Sequence, residues 1–293
     1  MDATNIDLII QAAINEDLCP YPEDRIVIAL DSRENELIDV TSDAIFQDEE
    51  GRAAVFARSC GVLSGSVPVS RLYGLLDPAV KLQFHKTDGQ RFDAGEKIAS
   101  LEGKVRSILR GERIALNFLG HLSGIASEVH ALTRVLAGVP VKILDTRKTI
   151  PGLRELEKRA VVHGGGVNHR MGLYDMILIK DNHIDASGSI AGAVRRVRQR
   201  YGSQYTIEVE TRTLEEVREA MAAGIDRIML DNMPVSLIRK AVKLIEGKIE
   251  TEVSGSVDRK KVRKLRRIPI DYVSAGYITN SAGQSDFTMK MVE

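Results

Sequence analysis

Beyond residue 140 the sequence settles into a rhythm that few folds satisfy. Short apolar runs at 142–144, 176–179, 206–209, 227–230, 249–253 and 272–275 alternate with segments of helical periodicity, the later runs recurring every 21 to 23 residues. Each interval leaves room for a crossover helix and is too long for a hairpin. Six strand–helix units in a row therefore predict an α/β fold around a parallel sheet. A doubly wound nucleotide-binding sheet and a barrel both satisfy that count. The doubly wound form should carry Gly-x-Gly-x-x-Gly after its first strand, and none of the six runs is followed by one. A barrel is the expected form.

The first 140 residues have a different texture. Ile6, Ile9, Ile10, Ala13 and Ile14 fall at helical spacing over 4–17, and a Pro- and charge-rich stretch, 19–36, then breaks the pattern. From 52 to 106 short apolar runs are punctuated by Gly61, Gly65, Asp88-Gly89 and Ala94-Gly95, with one helical insert at 67–76. That alternation describes a small strand-rich α+β domain. From 107 to 137 the pattern is helical again, and Gly111, Gly120 and Gly124 predict two or more helices rather than one.

Composition narrows the function classes. In 293 residues, 41 Lys+Arg balance 41 Asp+Glu, which argues against a dedicated nucleic-acid binder. The two cysteines, Cys19 and Cys60, have neither metal-ligand nor Cys-x-x-Cys spacing. No run of 18 apolar residues occurs, and the opening residues lack the basic and apolar regions of a secretory signal. A cytoplasmic enzyme is expected, with no membrane span.

Barrel enzymes draw their reacting groups from the carboxyl ends of the strands, where the variable loops converge. Here those ends are Asp145-Thr146-Arg147-Lys148-Thr149, Lys180-Asp181-Asn182-His183, Glu210, Asp231-Asn232, Ser254-Gly255-Ser256 and Gly276. The loop between the first two strands adds His163-Gly164-Gly165-Gly166-Val167-Asn168-His169-Arg170. Around one mouth these would gather Arg147, Lys148, His169, Arg170 and Lys180 against only Glu210 and Asp231. Guanidinium forks match carboxylate and phosphate oxygens, and exposed backbone N–H groups at Ser254-Gly255-Ser256 suit a phosphate. The two carboxylates suit sugar hydroxyls or a phosphate-bound Mg2+. The residues point to a phosphosugar or polycarboxylate enzyme.

Each piece has an ordinary explanation too: a solvated loop for an Arg-Lys pair, a flexible connection for three glycines. The agreement of all six strand ends outweighs it. His85, His121 and His130 are read as core or surface residues, and His163, His169 and His183 lack the close spacing of a metal triad. In the basic run 259–267, Val262, Leu265 and Ile268 keep helical spacing, which describes a barrel helix with a basic outer face.

The blocks 145–149 with Pro151-Gly152, 164–170 and 179–183 resemble the quinolinate phosphoribosyltransferases (nicotinate-nucleotide pyrophosphorylases, carboxylating). So do Glu112-Arg113 with Asn117, Leu122-Ser123-Gly124-Ile125-Ala126, Glu208-Val209-Glu210, Leu230-Asp231-Asn232 and Ser254-Gly255, in family order over about 50–285. The resemblance implies an N-terminal α/β open sandwich over 1–115, joined by 282–293. An incomplete, open α/β barrel of the type II phosphoribosyltransferase kind would occupy 116–281, with seven strands where only six are visible. It also implies a homodimer or homohexamer whose N-terminal domains cap neighbouring barrels. The implied reaction converts quinolinate and phosphoribosyl pyrophosphate to nicotinate mononucleotide, pyrophosphate and CO2 in NAD biosynthesis, with Mg2+.

Carried over residue by residue, the family's pattern gives quinolinate to Arg113 of a neighbouring subunit, Thr146, Arg147, Lys148, His169, Arg170 and Lys180. The ribose falls to Glu210 and Asp231, which would touch Mg2+ only through the substrate. Phosphate falls to Lys148, Ser254, Gly255, Ser256, Gly276 and Asn280. Three departures stand out: Ile38-Asp39-Val40-Thr41 where the family has Gly-Asp-x-Thr, Ser256 where it has a second glycine, and Asn280 where its Thr-His-Ser would put the histidine. The rivals are a related barrel linked to molybdate transport, a nicotinate-using phosphoribosyltransferase, and a basic-helix nucleic-acid or regulatory protein on a dead barrel. The intact 168–170 and 180–183 blocks disfavour the first, and the last gives no reason for a polar group at each strand end.

Overall fold

The computed structural model describes residues 3–19 and 37–293, so residues 20–36 of the Pro- and charge-rich stretch lie outside the described residues. The chain forms two compact units, the first made of Met1–Glu128, Pro151–Gly164 and Ala282–Glu293, the second of Val129–Ile150 and Gly165–Ser281. Along the chain come α1 (Ala3–Leu18), α2 (Val40–Ile45), β1 (Glu50–Ala57), β2 (Gly61–Val62), α3 (Ser66–Leu76) and β3 (Lys81–Phe84). Next are β4 (Arg91–Phe92), β5 (Lys97–Lys104), α4 (Val105–Val135), β6 (Lys142–Leu144), α5 (Arg154–His163) and β7 (Ile177–Ile179). Then follow α6 (Asp181–Ser187), α7 (Ile190–Tyr201), β8 (Ile207–Thr211), α8 (Leu214–Ala222), β9 (Arg227–Asp231) and α9 (Val235–Ile245). The series ends with β10 (Glu250–Ser254), α10 (Arg259–Leu265), β11 (Tyr272–Ser274), α11 (Tyr277–Asn280) and β12 (Phe287–Val292).

In the first unit four strands form an antiparallel sheet in the order β12-β1-β5-β3, beside a β2–β4 pair. The strand that completes it, β12, comes from the far end of the chain and pairs with β1 from Arg52↔Val292 to Ala57↔Phe287. Ile6, Ile10 and Ile14 of α1 are buried, as their spacing predicts. Asp39, in the block that departs from the family pattern, caps α2 by accepting from the backbone N–H groups of Thr41 and Ser42.

The expected break in the helical region does not occur: α4 is one helix of 31 residues, and the 115/116 division expected from sequence falls inside it. Its glycines make room instead of ending it. A Cβ on Gly111 would strike the Tyr73 ring, and Cβ atoms on Gly120 and Gly124 would strike the carbonyl oxygens of Ser285 and Gly283. The segment leading to β12 thus runs directly over α4, and Ser285 N donates to Gly120 O at 2.9 Å. The helix propensity lost at each glycine is outweighed by the close packing it permits.

In the second unit six strands, all parallel, stand in the order β6-β11-β10-β9-β8-β7. From β7 to β11 each strand lies beside its predecessor, and β11 then pairs with β6, the first of the series. A β6–β7 ladder alone is missing from closure, so the architecture is an open α/β barrel. Val167 bridges in parallel to Leu144 beside β6, and no seventh strand joins the sheet among the described residues. The intervening helices bury one face each; Val262 and Leu265 of α10 are buried while Arg259, Lys260, Arg263 and Lys264 are exposed.

Gly124→Ala is expected to destabilise the protein by about 2–3 kcal/mol, because the helix and the 283–285 segment cannot separate without disturbing β12. Urea unfolding measures it, and a cost under about 0.5 kcal/mol would show that α4 does not depend on this close approach.

Candidate active site

All six parallel strands end at one cavity of about 700 Å³. Its lining contains Thr146, Arg147 and Lys148 after β6, Lys180 and Asp181 after β7, and Glu210 near the end of β8. Asp231 and Asn232 come from β9, Ser254, Gly255 and Ser256 from β10, and Ser274 and Gly276 from β11. His169 and Arg170 enter from the loop beside β6. Of the sequence-predicted residues, Arg113 and Asn280 do not line this cavity. Arg113 belongs to α4 in the first unit, and Asn280 ends α11 with its side-chain oxygen taking the Ser281 hydroxyl at 2.7 Å.

The cationic side is built on short hydrogen bonds. Thr146 Oγ1 accepts from Lys148 N at 3.0 Å, and Thr279 Oγ1 donates to Lys148 O at 2.7 Å, which holds the loop after β6 against α11. Lys148 lies across Gly276, where a Cβ would come within 2.8 Å of its Cδ, so a larger residue there would require the lysine side chain to shift. Buried Asp145 accepts from His169 N at 2.9 Å and so anchors the loop that carries Arg170. Arg170 in turn donates to Met176 O at 3.2 Å. Burial, and then the charge of Arg147, lower the pKa of Arg170. Two guanidinium groups held this close, one partly desolvated, favour an anion between them.

The opposite wall is acidic. Burial first, then the charges of Asp231 and Asp181, push the Glu210 carboxyl up, and Asn232 Nδ2 donates to Asp231 at 2.7 Å. Carboxylates that repel one another are suited to ribose hydroxyl donors and to a divalent ion carried by the substrate.

Between the two walls the loop after β10 turns sharply. Gly255 has φ +83° with a Cβ position already filled by Asn232, and Ser256 has φ +46°. The departure from glycine at 256 therefore sits in the left-handed region. Lys261 reaches back from α10 to donate to Gly255 O at 2.6 Å. Burial lowers its pKa while Asp231 and Asp258 act in the opposite sense. The basic run is thus not uniformly outward, since Lys261 faces the phosphate-type loop.

Beneath the cavity lies a group that strand-end reasoning did not find. His169 Nε2 is 3.1 Å from Glu208 and 3.5 Å from Glu252, and all three residues are buried. Arg227 stands 3.8 Å from Glu252. Burial, then the charge of Glu208, push Glu252 up to about 8, and Glu208 is raised mainly by burial. The available signal was the strand period of two, which puts Glu208 on the face of Glu210 and Glu252 on the face of Ser254. His163 and His183 are elsewhere: Ser64 Oγ meets His163 Nδ1 at 2.9 Å, and His183 Nδ1 accepts from Lys180 N at 2.9 Å. Among the described residues, no helix is long and apolar enough to cross a membrane.

This open parallel barrel with a cationic and an acidic wall at its strand ends, in a chain that also carries an antiparallel sheet domain, has a phosphoribosyltransferase architecture. Residues 39–123 match the N-terminal domain of quinolinate phosphoribosyl transferase and residues 125–290 its C-terminal domain, so the chain belongs to that family. A probable nicotinate-nucleotide pyrophosphorylase (carboxylating) of Bacillus subtilis is 44% identical, covering 86% of this chain and 87% of that protein. A mitochondrial quinolinate phosphoribosyltransferase (decarboxylating) of Nicotiana tabacum is 39% identical over 90% of this chain and 80% of its own. Among solved structures, NadC from Streptococcus pyogenes superposes with a TM-score of 0.89 at 39% identity, covering 100% of this chain and 99% of that one. The nicotinate-nucleotide pyrophosphorylase of Francisella tularensis gives 0.90 at 33%, covering 100% and 98%.

Ser256→Gly should raise stability by about 1 kcal/mol, the cost of a non-glycine residue in the left-handed region. Loss of stability in thermal unfolding would show that the Ser256 hydroxyl contributes more than its backbone strain removes.

Proposed function

We propose that this protein transfers the phosphoribosyl group of phosphoribosyl pyrophosphate to quinolinate with decarboxylation, giving nicotinate mononucleotide, pyrophosphate and CO2, a step of NAD biosynthesis. The observation that carries this reading is the family's cationic set converging on one cavity opposite Glu210 and Asp231.

Arg147, Arg170 and Lys180 take the two carboxylates of quinolinate, with Thr146 and His169 beside them and Arg113 supplied by a neighbouring subunit. Burial of such a dianion without partners of this kind would cost several kcal/mol per charge. Lys148 stands between acid and phosphates, and Ser254, Gly255, Ser256 and Gly276 serve the phosphate end, while Asn280, outside the cavity lining, has no part in it. The ring nitrogen attacks the anomeric carbon as the bond to pyrophosphate breaks, and Glu210 and Asp231 stabilise the positive charge that develops on the sugar. Mg2+ borne by the pyrophosphate would neutralise the leaving group, touching Glu210 and Asp231 only through the substrate; their mutual repulsion fits a cation nearby. Once alkylated, the ring nitrogen is cationic. The C2–carboxylate bond breaks, its electron pair stays on C2 beside that nitrogen, and a proton then completes nicotinate mononucleotide. The protein's part is positioning and electrostatics, with no covalent nucleophile.

We further propose a homodimer or homohexamer with shared sites, acting in the cytoplasm without nucleic-acid or membrane partners.

Quinolinate labelled in its 2-carboxylate, incubated with phosphoribosyl pyrophosphate and Mg2+, should release labelled CO2 in step with nicotinate mononucleotide. Absence of both from a folded, oligomeric sample would send the search to other acids.

The shared site predicts complementation. Arg113→Ala and Arg147→Ala should each lower kcat/KM by about 10–100-fold, the worth of a charge-assisted hydrogen bond. Equal mixing should recover roughly a quarter of wild-type activity, because half the dimers are mixed and each carries one intact site. No recovery despite confirmed subunit exchange would rule out sharing.

A further inference from the structure

Of the group beneath the cavity, Glu208 and Glu252 are not used by the chemistry above, and they set two buried carboxylates against each other. Glu208 projects from β8 and Glu252 from β10, both fully buried, and with His169 Nε2 their oxygens lie within 4.8 Å of one another. The two carboxyl groups are hydrogen-bonding neighbours of each other, and Glu252 is also a neighbour of the Ser274 hydroxyl. His169 Nδ1 accepts from Arg170 N at 2.7 Å, which turns Nε2 toward the carboxylates, and the ring acts on Glu252 against the burial that raises its carboxyl. The remaining charged groups around the pair are Arg227 on β9, 3.8 Å from Glu252, Arg170 on the loop, which acts on Glu208, and Glu250 on β10, which opposes it. Arg227 is shared, since it also pairs with Glu250 at 2.9 Å. Ser274 on β11 is the remaining polar neighbour of Glu252.

Burial and mutual repulsion make it costly for both carboxylates to be charged at once beside a single shared arginine. Directly above, the same cavity is lined by Arg147, Arg170 and Lys180, and Glu252 and His169 are themselves part of the lining. A floor with two charges would repel a dianion placed over it; a floor holding one proton would not.

We propose that Glu252 holds a proton against Glu208 and thereby sets the charge of the floor beneath the dicarboxylate, so that the site takes up a proton when it binds a dianion at alkaline pH. This rests on the function proposed above. Glu252 is then a positioning residue whose protonation is linked to substrate affinity, and its elevation to about 8 puts that linkage within a working pH range. The sign follows. Below pH 7 the floor is already protonated and binding takes up nothing. Above about pH 8 the proton must come from solvent, and affinity falls as pH rises.

The test uses phthalate, an aromatic ortho-dicarboxylate fully ionised above pH 7 that cannot react at a ring nitrogen. Isothermal calorimetry on the full chain at pH 7 and 9, repeated at pH 8.5 in two buffers of different ionisation enthalpy, yields affinity and proton uptake. The wild type should bind about tenfold more weakly at pH 9 than at pH 7, one pH unit of a single-proton linkage, with uptake approaching one proton. Glu252→Gln keeps the shape and the hydrogen atom without the titration, and should reduce the pH effect to less than about twofold. Wild-type binding without proton uptake would overturn the proposal, and that measurement does not depend on the variant folding. A Glu252→Gln variant that folds and keeps the wild-type pH profile would overturn it as well. No binding of phthalate by folded wild type at any pH would instead count against the dicarboxylate site itself, and the proposal would fall with it.

Discussion

The parallel pairing of β6 with β11 is the contact on which the second unit depends. Through Lys142↔Tyr272, Ile143↔Val273 and Leu144↔Ser274, the first strand of a series is placed beside the last, and the sheet is carried round on itself. Parallel strands share one carboxyl end, so the residues that follow all six are delivered to the same side. Arg147 and Gly276, distant in sequence, become neighbours because the strands before them are hydrogen-bonded. Without that ladder Lys148 would not lie across Gly276, and Thr279 would not hold the Lys148 carbonyl.

Once the ends converge, charge governs the rest. Arg147 and Arg170 are near enough to lower the proton affinity of Arg170, while Glu210 faces Asp231 and Asp181. Like charges are grouped on each side instead of being paired across the cavity, which costs stability in the empty protein and makes each wall complementary to one part of a ligand. Asp145 takes the other course. Buried and engaged with His169 N, it spends its charge on orienting a loop. The same loop is tied through His169 to Glu208 and Glu252, so Arg170 and the floor belong to one connected network.

Much of this was legible from residue pattern. All six strands of the barrel appear within a residue or two of the apolar runs, because buried parallel strands are read from local apolar content. The polar residues at their ends were legible for the same reason. The glycines of α4 were not: Gly124 has the same local meaning in a broken helix as in a continuous one, and the Gly283 carbonyl that decides between them is far away in sequence. Lys261 shows a similar ambiguity, one lysine in a basic run whose turn toward Gly255 depends on how the loop after β10 folds. Glu208 and Glu252 were hidden because an acidic residue inside a strand looks like a solvent-facing position until the opposite face is known to be covered.

The amino-acid sequence by itself determined the strand–helix alternation, the absence of a Gly-rich dinucleotide loop and, through the spacing of its motifs, the family. Those properties are local, or depend only on order along the chain, so no contact between distant residues is needed to read them. Only the tertiary structure decided that the barrel stays open between β6 and β7, that α4 continues past three glycines, and that two glutamates meet a histidine beneath the site. Each of these depends on which groups the folded chain places within a few ångströms of one another, and on the removal of water that makes such neighbours matter.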